Sequence, residues 1–362
     1  MEDREKQQPQ IRCAGLQGVE ANLVAADVDV VAFCGQLGVD IECLRNPEAR
    51  LDVARFVEVL ELAARACEEP SLGLKLGMTQ SIGTFGMLGE LSCQAPDLGT
   101  VGQSVSRFFF MHQERAALDI RIEGRDAILS YAIRDARVID YRHDAEMAMA
   151  KALRIARTLS GRADWRPRAV CFEHPAPRDT SLHREFFGAP VYFARPYNAL
   201  LFPTDWLSAR LPGGDPDSLE ALARAAAQQL PRVPAEDIEG QVRRQIVRGL
   251  RSGMLSAVAV AAALGLSERT LQRRLQESGQ TFHALVDNTR LEMARRYLAE
   301  PHLTLTDISA ALGYSEPSAF SRAFRRWTGH SPFAERASLI RERVQWAPPR
   351  NIASGFSGQR AH

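Results

Sequence analysis

The sequence has little lysine, no closely spaced pair of cysteines and no long apolar run. Its only lysines are Lys6, Lys75 and Lys151, and none of its six cysteines forms a C-x-x-C pair. This cysteine pattern excludes a small disulfide-stapled scaffold and predicts reduced thiols. The most apolar stretch, residues 254–266, is too short to span a bilayer, and the charged N terminus lacks the apolar segment of a signal peptide. We therefore expect a cytoplasmic protein with no membrane partner.

The chain also has little net charge, which at first argues against a nucleic-acid partner. Its 45 basic and 44 acidic residues give a formal net charge of +1. The charges are unevenly distributed, however, because residues 1–234 carry 27 basic and 32 acidic side chains, whereas residues 235–345 carry 16 and 12. Arginine supplies 42 of the basic residues, and its planar fork suits bases and phosphates, although codon bias is the simpler explanation of the excess. The basic balance is local to the C-terminal third, so the whole-chain charge excludes no partner.

The length of 362 residues, with 45% hydrophobic and 25% charged side chains, indicates a globular protein of two or three domains. Residues 20–210 mix helical and alternating apolar patterns. The predicted helices cover residues 28–37, 47–67, 98–112 and 142–160. The predicted strands cover residues 117–122 and 127–132, which form a β-hairpin, and residues 169–173, 191–193 and 199–202. We therefore predict an α+β sensor domain with an antiparallel sheet over residues 20–210.

Turn-forming residues mark the end of this domain. Residues 211–217 concentrate Pro, Gly and Asp, and Asp217 or Ser218 is placed to cap an alanine-rich helix that follows. We predict a linker over residues 211–235 that contains this helix, which serves either as a connector or as a dimer seam. We expect residues 341–362 to be a disordered tail.

The C-terminal third contains an internal repeat. The segment Val260–Ser267 (VAAALGLS) recurs 48 residues later as Ile308–Ser315 (ISAALGYS). Further on, residues 271–275 match residues 320–324 at an offset of 49, so the second copy has one extra residue at its turn. The two copies predict the same supersecondary unit twice.

Each copy has the chemistry of a helix-turn-helix. Gly265 and Gly313 supply the left-handed residue that a short turn between two helices needs. Ser267 is placed to cap the second helix of the first copy. Ser315 is placed to do the same in the second copy, ahead of Pro317 in the first turn.

The second helix of each copy is amphipathic. Its inward face carries apolar pairs four residues apart, Leu271 with Leu275 and Phe320 with Phe324. Its outward face carries side chains that can reach base edges and phosphates, namely Arg269, Thr270, Gln272 and Arg273 in the first copy, and Ser318, Ser321, Arg322 and Arg325 in the second. The tandem arrangement favours DNA binding, and the alternative is a helical repeat used for protein contacts.

A long helix is expected between the copies. Thr281 opens it, and it extends over residues 282–299. Thr304 and Asp307 then form a capping pair for the next helix. We predict an all-α C-terminal domain over residues 236–340, in which two tandem helix-turn-helix motifs are joined by this long helix.

Residues 238–340 resemble the DNA-binding domain of the AraC/XylS family of bacterial transcription factors. Besides the two helix pairs, the similar segments are Arg290-Leu291-x-x-Ala294 and Phe320-Ser321-Arg322-x-Phe324-Arg325-Arg326-Trp327-x-Gly329-x-Ser331-Pro332. The resemblance implies that the outward positions of the two recognition helices read bases, here Arg269, Gln272, Arg273, Ser318, Ser321 and Arg322. Because position 317 is proline, we expect the second helix to depend more on phosphates, through Arg325 and Arg326. The implied partners are a double-stranded DNA operator and, for an activator, RNA polymerase.

Residues 25–210 resemble the effector domain, labelled arabinose-binding-like, that some members of this family carry. The similar stretches are Ser81-x-Gly83-x-Phe85-Gly86, Phe108-Phe109-x-Met111-His112, Phe186-Phe187-Gly188 and Leu201-Phe202-Pro203. The resemblance implies a domain that senses a small molecule, forms a homodimer, or does both. No residue names the effector, so the sugar in the label is not carried over.

The sequence predicts no cofactor, no metal site and no catalytic residue. The glycines at 83, 86 and 89 lack the preceding strand and the Lys-Ser/Thr ending of a phosphate loop, so we expect helix packing or a tight turn there. No nucleophile elbow, H-E-x-x-H motif or catalytic carboxylate pair is found. The histidines have no metal-ligand spacing and are expected to be hydrogen-bonded core or surface residues, namely His112, His143, His174 and His183.

The aromatic run Phe108–Phe110 leaves two interpretations open. Three phenylalanines at the end of a helix are typical of a core. They can also line an apolar pocket in which Arg107 or His112 orients a carboxylate.

The whole pattern predicts a ligand-responsive, sequence-specific transcriptional regulator that is not an enzyme. In it, the C-terminal helices bind two successive major-groove segments while the N-terminal domain senses an effector. Two alternatives belong to other classes: an enzyme-like N-terminal domain fused to a DNA-binding module, and an architectural DNA binder without sequence preference.

Overall fold

The computed structural model describes residues 8–135, 137–138, 141–195, 197–212, 214–229, 238–298 and 303–345. The N-terminal part mixes helices with an antiparallel sheet, and the C-terminal part is helical, as the sequence predicts. In the described part of the chain, no helix is long and apolar enough to cross a membrane.

The chain begins with a two-stranded sheet and five helices. The sheet pairs β1 (Gln10–Arg12) with β2 (Arg50–Asp52), and the helices are α1 (Val19–Ala25), α2 (Val30–Leu37), α3 (Glu42–Arg45), α4 (Val53–Ala66) and α5 (Leu72–Thr79). Ile11, Cys13 and Leu16 are part of the core, so the packed domain starts before the expected residue 20. A three-residue strand and a single 3-10 turn are too short to give a periodic signal.

The elements that follow surround the main sheet. They are α6 (Met87–Cys93), α7 (Leu98–Phe108), β3 (Ala116–Glu123), β4 (Asp126–Ile133), α8 (Arg142–Ser160), β5 (Ala169–Cys171), α9 (Ser181–Phe187), β6 (Val191–Tyr192) and β7 (Asn198–Pro203). The strand order is β3-β4-β7-β5-β6, and every neighbouring pair is antiparallel except β5 with β6. The predicted hairpin is confirmed as β3 and β4, which turn at Gly124 with a φ of 63°.

Two glycines in α5 let α8 lie unusually close to it. A Cβ atom at Gly73 would overlap the backbone carbonyl of His143, and one at Gly77 would overlap the backbone of Met147. Any side chain at these positions would push α8 away from α5. The contact therefore fixes α8, whose inward face includes Lys151.

Gly86 and Gly89 have the turn and packing roles that the sequence predicts, whereas a side chain at Gly83 would make only ordinary contacts. Gly86 has a φ of 56° and lies against the Arg12 guanidinium, while a Cβ atom at Gly89 would overlap the carbonyl of Ile82. The segment forms a 3-10 turn followed by α6, and it does not follow a strand as a phosphate loop does.

The helix after the sheet starts earlier than predicted. Helix α10 covers Pro216–Gln228, and its N-cap is Asp215, which accepts backbone hydrogen bonds from Asp217 and Ser218. The prediction of Asp217 or Ser218 as the cap is wrong because Pro216 occupies the first helical position and shifts the cap one residue before it. Residues 230–237, which include the end of the predicted linker, lie outside the described residues.

The C-terminal part consists of seven helices in the described residues. They are α11 (Ile238–Ser252), α12 (Ala257–Ala263), α13 (Glu268–Glu277), α14 (Phe282–Leu298), α15 (Leu305–Ala311), α16 (Pro317–Thr328) and α17 (Pro332–Gln345). They enclose a core of their own. Because α17 continues to Gln345, residues 341–345 are helical, which corrects the start of the predicted disordered tail; the rest of that tail lies outside the described residues.

Candidate functional site

The first helix pair, α12 and α13, has the turn that the sequence predicts. Gly265 adopts a φ of 66°, which only glycine reaches without strain. The Ser267 hydroxyl then accepts the backbone N–H of Thr270 at 3.2 Å, which confirms it as the cap of α13. The first helix is capped in the same way by Ser256, which accepts from Ala259 at 3.1 Å.

The second helix pair, α15 and α16, begins and turns as predicted but is capped differently. Thr304 and Asp307 form a complete capping box, and Gly313 has a φ of 73°. The cap of α16 is Glu316, however, and its side chain makes no capping bond. The predicted role of Ser315 is wrong because Pro317 is the first residue of the helix and leaves Ser315 one position too far away.

The apolar faces of α13 and α16 are buried as predicted. Leu271 and Leu275 of α13 and Phe320 and Phe324 of α16 are completely buried. Phe320 packs edge-on against Phe324, with ring centroids 5.7 Å apart. Burying these side chains fixes which face of each helix remains outside.

The structure places all nine predicted contact residues on α13 and α16. Seven are exposed, namely Arg269, Gln272, Arg273, Ser318, Arg322, Arg325 and Arg326, while Thr270 and Ser321 are half-buried. The exposed arginines differ in whether they form ion pairs within the protein. Arg273 pairs with Glu277 at 3.2 Å, and Arg326 pairs with Asp287 at 3.1 Å.

Three of the predicted contact arginines are free to meet a partner. Within the described ranges, Arg269, Arg322 and Arg325 form neither an ion pair nor a side-chain hydrogen bond. Exposed pairs such as Arg273 with Glu277 are weak and readily exchanged. The outward surface of α13 and α16 therefore offers positive charge that the rest of the domain does not neutralise.

Helix α14 connects the two helix pairs and is braced by arginines whose role the sequence did not reveal. The Arg290 guanidinium lies 4.6 Å from the Tyr314 ring centroid, and its Nε donates to the Leu312 carbonyl at 3.1 Å. This places Arg290 at the turn between α15 and α16. In the sequence, only the position of Arg290 in a motif that resembles the AraC/XylS family pointed to a role for this side chain.

Further ion pairs hold α14 against its neighbours. Arg243 of α11 donates to both carboxylate oxygens of Glu292 at 2.9 and 2.8 Å. Arg295 of α14 donates to Glu335 of α17 at 2.9 Å. The connecting helix is thus fixed from two sides.

A second candidate site is an apolar cavity inside the N-terminal part. It measures about 130 Å³ and lies between α7, α8 and strands β3, β4 and β7. Most of its lining is apolar, including Val101, Phe109, Ile120, Leu200 and Trp206. The pocket interpretation of the aromatic run therefore holds for Phe109 and His112, which line the cavity, whereas Arg107, Phe108 and Phe110 are not among its lining residues.

Polar side chains are gathered at one end of this cavity. The Tyr131 hydroxyl lies 2.6 Å from Asp144 Oδ2 and 2.9 Å from Gln113 Oε1. A hydroxyl has one proton, so Tyr131 donates to only one of these two oxygens. The Nε2 atom of Gln113 has no hydrogen-bond partner among the described residues. If the amide were rotated by 180°, its Oε1 atom would take that place and would lack a partner instead. Lys151 also lines this region and is 3% exposed.

Burial shifts the titration of these groups. It raises the pKa of Asp144 to about 6, against the lowering effects of the Tyr131 hydrogen bond and the Lys151 charge. It lowers the pKa of Lys151 to about 8, although Asp144 acts in the opposite direction. Burial and the nearby cations Lys151, Arg12 and Arg50 hold the pKa of His112 well below its usual value, so this ring is neutral at pH 7.

The other histidines of this domain are hydrogen-bonded core residues, as predicted. His183 Nε2 lies 3.0 Å from Glu146 Oε1, and both side chains are fully buried. Burial raises the pKa of Glu146, but the His183 hydrogen bond and the Arg142 charge outweigh it and keep that pKa well below its usual value. In the portion of the chain that the structure covers, no three His, Cys, Asp or Glu residues are arranged to hold a metal ion.

Two sequence families match the two parts of the chain. The family described as the arabinose-binding domain of AraC transcription regulator, N-term, matches residues 28–211. The family described as a helix-turn-helix domain matches residues 260–338.

Individual proteins match over most of their length. The HTH-type transcriptional regulator VirS of Mycobacterium tuberculosis is 30% identical over 334 residues, covering 90% of this chain and 96% of the relative. The ornithine utilization regulator of Pseudomonas aeruginosa is 29% identical over 297 residues, covering 80% of this chain and 86% of the relative. Among solved structures, transcriptional regulator CdpR from Pseudomonas aeruginosa has 20% identity and a TM-score of 0.41, covering 85% of this chain and 96% of that one.

Proposed function

The chain belongs to the AraC family of DNA-binding, ligand-responsive transcriptional regulators, and from that premise we propose how its two parts divide the work. Residues 236–340 form two tandem helix-turn-helix motifs, α12 with α13 and α15 with α16. Helices α13 and α16 enter successive segments of the major groove of a double-stranded operator. Residues 20–210, with the segment from Gln10 that packs against them, sense a small molecule.

The observation that carries this proposal is the uncompensated charge on α13 and α16. Arg269, Arg322 and Arg325 are exposed, and no acid of the described chain pairs with them. Arginine side chains on helices that a buried apolar face holds rigid can contact guanine edges and phosphates with little loss of freedom. The polar side chains between them, such as Gln272 and Ser321, are suited to additional base or phosphate contacts.

The nine residues have separate proposed roles. Arg269, Thr270, Gln272 and Arg273 contact one groove segment, and Ser318, Ser321 and Arg322 contact the next. Arg325 and Arg326 bind phosphates and set the register of α16. Arg326 exchanges its exposed pairing with Asp287 for the phosphate, an exchange that weak surface pairing permits.

The effector acts on the N-terminal domain in this proposal. A ligand that prefers one of two arrangements of the domain shifts the population towards that arrangement and changes how the DNA-binding helices are presented. A homodimer formed by this domain would present two pairs of reading helices, and RNA polymerase is the further partner if the protein activates transcription. We place the protein in the bacterial cytoplasm, together with its operator.

The direct test is a hydroxyl-radical footprint of the full chain on the DNA upstream of its own gene and of neighbouring genes. We expect two protected segments on one face of the duplex, about 10 base pairs apart from centre to centre. The variant Arg322→Ala should weaken protection of one segment and leave the other. Uniform protection of every fragment, undiminished by competitor DNA, would instead identify an architectural binder.

A further inference from the structure

Lys151 is a buried cation that forms no hydrogen bond or ion pair in the described residues. Its side chain is 3% exposed and lines the apolar cavity described above. Throughout the described part of the chain, no hydrogen bond or ion pair engages its Nζ atom; the nitrogen lies 5.1 Å from the centroid of the Phe85 ring, another lining residue. A buried ammonium group is normally paired, because its removal from water is otherwise uncompensated.

The other charges near the cavity are already engaged. Arg12 pairs with Glu48 and donates to the Thr84 carbonyl at 3.0 Å. Arg50 donates to the Met111 carbonyl at 2.7 Å. Asp144 has the Tyr131 hydroxyl at 2.6 Å; among the described residues it forms no ion pair with Lys151, although its negative charge favours the ammonium form. Lys151 is thus the one charged nitrogen in the lining that an incoming anion could reach.

The size of the cavity limits the anion. A volume of about 130 Å³ is close to that of an apolar protein cavity of about 150 Å³ that holds benzene. The walls around it are aliphatic and aromatic, so the body of the ligand must be apolar. A sugar, which carries a hydroxyl on nearly every carbon, would leave most of its polar groups without hydrogen bonds there.

We infer that the effector is a small monocarboxylate of about six to eight carbons in all, whose carboxylate pairs with Lys151 while its apolar body fills the space between α7, α8 and the sheet. The inference rests on the proposed sensing role of the N-terminal domain. Gln113 also lines the cavity, and its free polar group is available to hydrogen-bond the second carboxylate oxygen, directly or through water. Neutral His112, which also lines the cavity, adds no competing positive charge.

The experiment uses the full chain at pH 7 with three pairs of probes. Hexanoate, octanoate and benzoate are each compared with the corresponding amide by isothermal titration calorimetry and by thermal melting. Each amide has the same apolar body without the charge. We expect each carboxylate to bind at least tenfold more tightly than its amide and to raise the melting temperature, and we expect 6-aminohexanoate to bind more weakly than hexanoate because its ammonium group would enter the apolar end.

Two lysine variants identify the contact. Lys151→Met keeps the length of the side chain and removes its charge, so we expect carboxylate affinity to fall at least tenfold and amide affinity to change little. The matched control is Lys75→Met, since Lys75 is exposed and pairs with Glu69 on the surface. This control should bind the carboxylates like the original protein.

Equal binding of carboxylates and amides by the original protein would overturn the inference, and so would full carboxylate affinity in a folded Lys151→Met variant. The first comparison needs no variant, so it decides the matter even if Lys151→Met does not fold. The proposed DNA-binding function is tested by a different measurement, the footprint recorded without ligand. A protein with a normal footprint and no preference for carboxylates would retain the function and lose this effector class.

Discussion

The N-terminal and C-terminal parts of this protein differ in where their charged side chains lie, buried in the first and exposed in the second. The N-terminal part buries charged groups: the buried Arg, Lys, His, Asp and Glu side chains in its described residues are Arg12, His112, Asp135, His143, Asp144, Glu146, Lys151, His174 and His183. The C-terminal part, in its described residues, buries only Thr289, Ser309 and Glu335 among its polar side chains. The arginines of α13 and α16 are all exposed.

The difference is consistent with the places where we propose that each part meets its partner. A buried charge must be balanced within the fold or by a molecule that enters it. In the described residues, Glu146 has ion pairs with Arg142 and His183, whereas Lys151 has none. A surface charge is solvated and available to an external partner such as a phosphate backbone. The placement of charge thus indicates a partner inside the first part and a partner outside the second.

The largest expected effect concerns the buried lysine. Because the pKa of Lys151 is lowered from its ordinary value of 10.5 to about 8 in the folded state, the unfolded chain binds the proton more tightly between these pH values. Stability should therefore rise as the pH increases from 8 to 10.5. Lys151→Met should abolish this rise and raise the free energy of unfolding at pH 7, by up to about 3 kcal/mol.

Urea unfolding at pH 7, 8, 9 and 10 checks this expectation, with Lys75→Met as the control. The titratable or charged groups that act on Lys151 are Asp144 on the same helix, Arg12 from the N-terminal strand and His112 after α7, which is neutral over this pH range. The pKa of Asp144 is about 6, so its titration lies below this range. A Lys151→Met variant with an unchanged pH slope would show that Lys151 is not a buried charge in solution.

A smaller effect is expected at the exposed arginines, and it should appear in DNA binding but not in folding. Arg273→Ala should cost about 1–3 kcal/mol on the preferred operator and relax the choice of sequence. Arg326→Ala should weaken all sequences alike and reduce the salt slope by about 1. Fluorescence anisotropy on an operator and its single-base variants at several salt concentrations measures both quantities.

Identical responses of these two variants across the operator set would contradict the division between base and phosphate contacts. Both variants should unfold within about 0.5 kcal/mol of the original protein. A large loss of stability in either would mean that the C-terminal charges also support the fold, which would weaken the contrast between the two parts.

The smallest expected effect distinguishes the N-caps of α13 and α16. Ser267→Ala removes the capping bond to Thr270 and should lower the free energy of unfolding by about 1 kcal/mol. Ser315→Ala should change it by only about a few tenths of a kcal/mol, because Glu316 is the N-cap of α16. Urea unfolding followed by circular dichroism compares the two; equal losses would mean that Ser315 caps α16 after all.

Local chemistry accounts for what could be predicted from the sequence. The predicted helix over residues 142–160 coincides with α8, and the glycine turns at 265 and 313 lie where expected, because periodicity and positive φ are properties of neighbouring residues. The same reasoning failed at Ser315, where a proline two residues later decided the cap. The errors at the helix caps are limited to one or two positions, whereas the start of the N-terminal domain and the end of α17 were misplaced by more.

The cavity could not be predicted because it is made by tertiary packing. Its walls come from α7, the hairpin, α8 and β7, which are far apart in the sequence. In the sequence, Lys151 looks like an ordinary exposed lysine of a helix. Its burial is seen only in the structure, where α8 packs closely against α5 at Gly73 and Gly77. The sequence suggested His112 or Arg107 as the carboxylate partner, since both adjoin the aromatic run, whereas the unpartnered charge lies about forty residues later.

The rigidity of α14 has a consequence for the operator. Its 17 residues make a rod of about 26 Å, shorter than the groove repeat of about 34 Å, and the pairs Arg243–Glu292 and Arg295–Glu335 hold it in place. If both proposed reading helices engage, the duplex must curve towards the protein, at an elastic cost of about 1–6 kcal/mol. Pyrimidine–purine steps between the two contacted segments lower that cost, so base pairs that no side chain touches should help to select the operator.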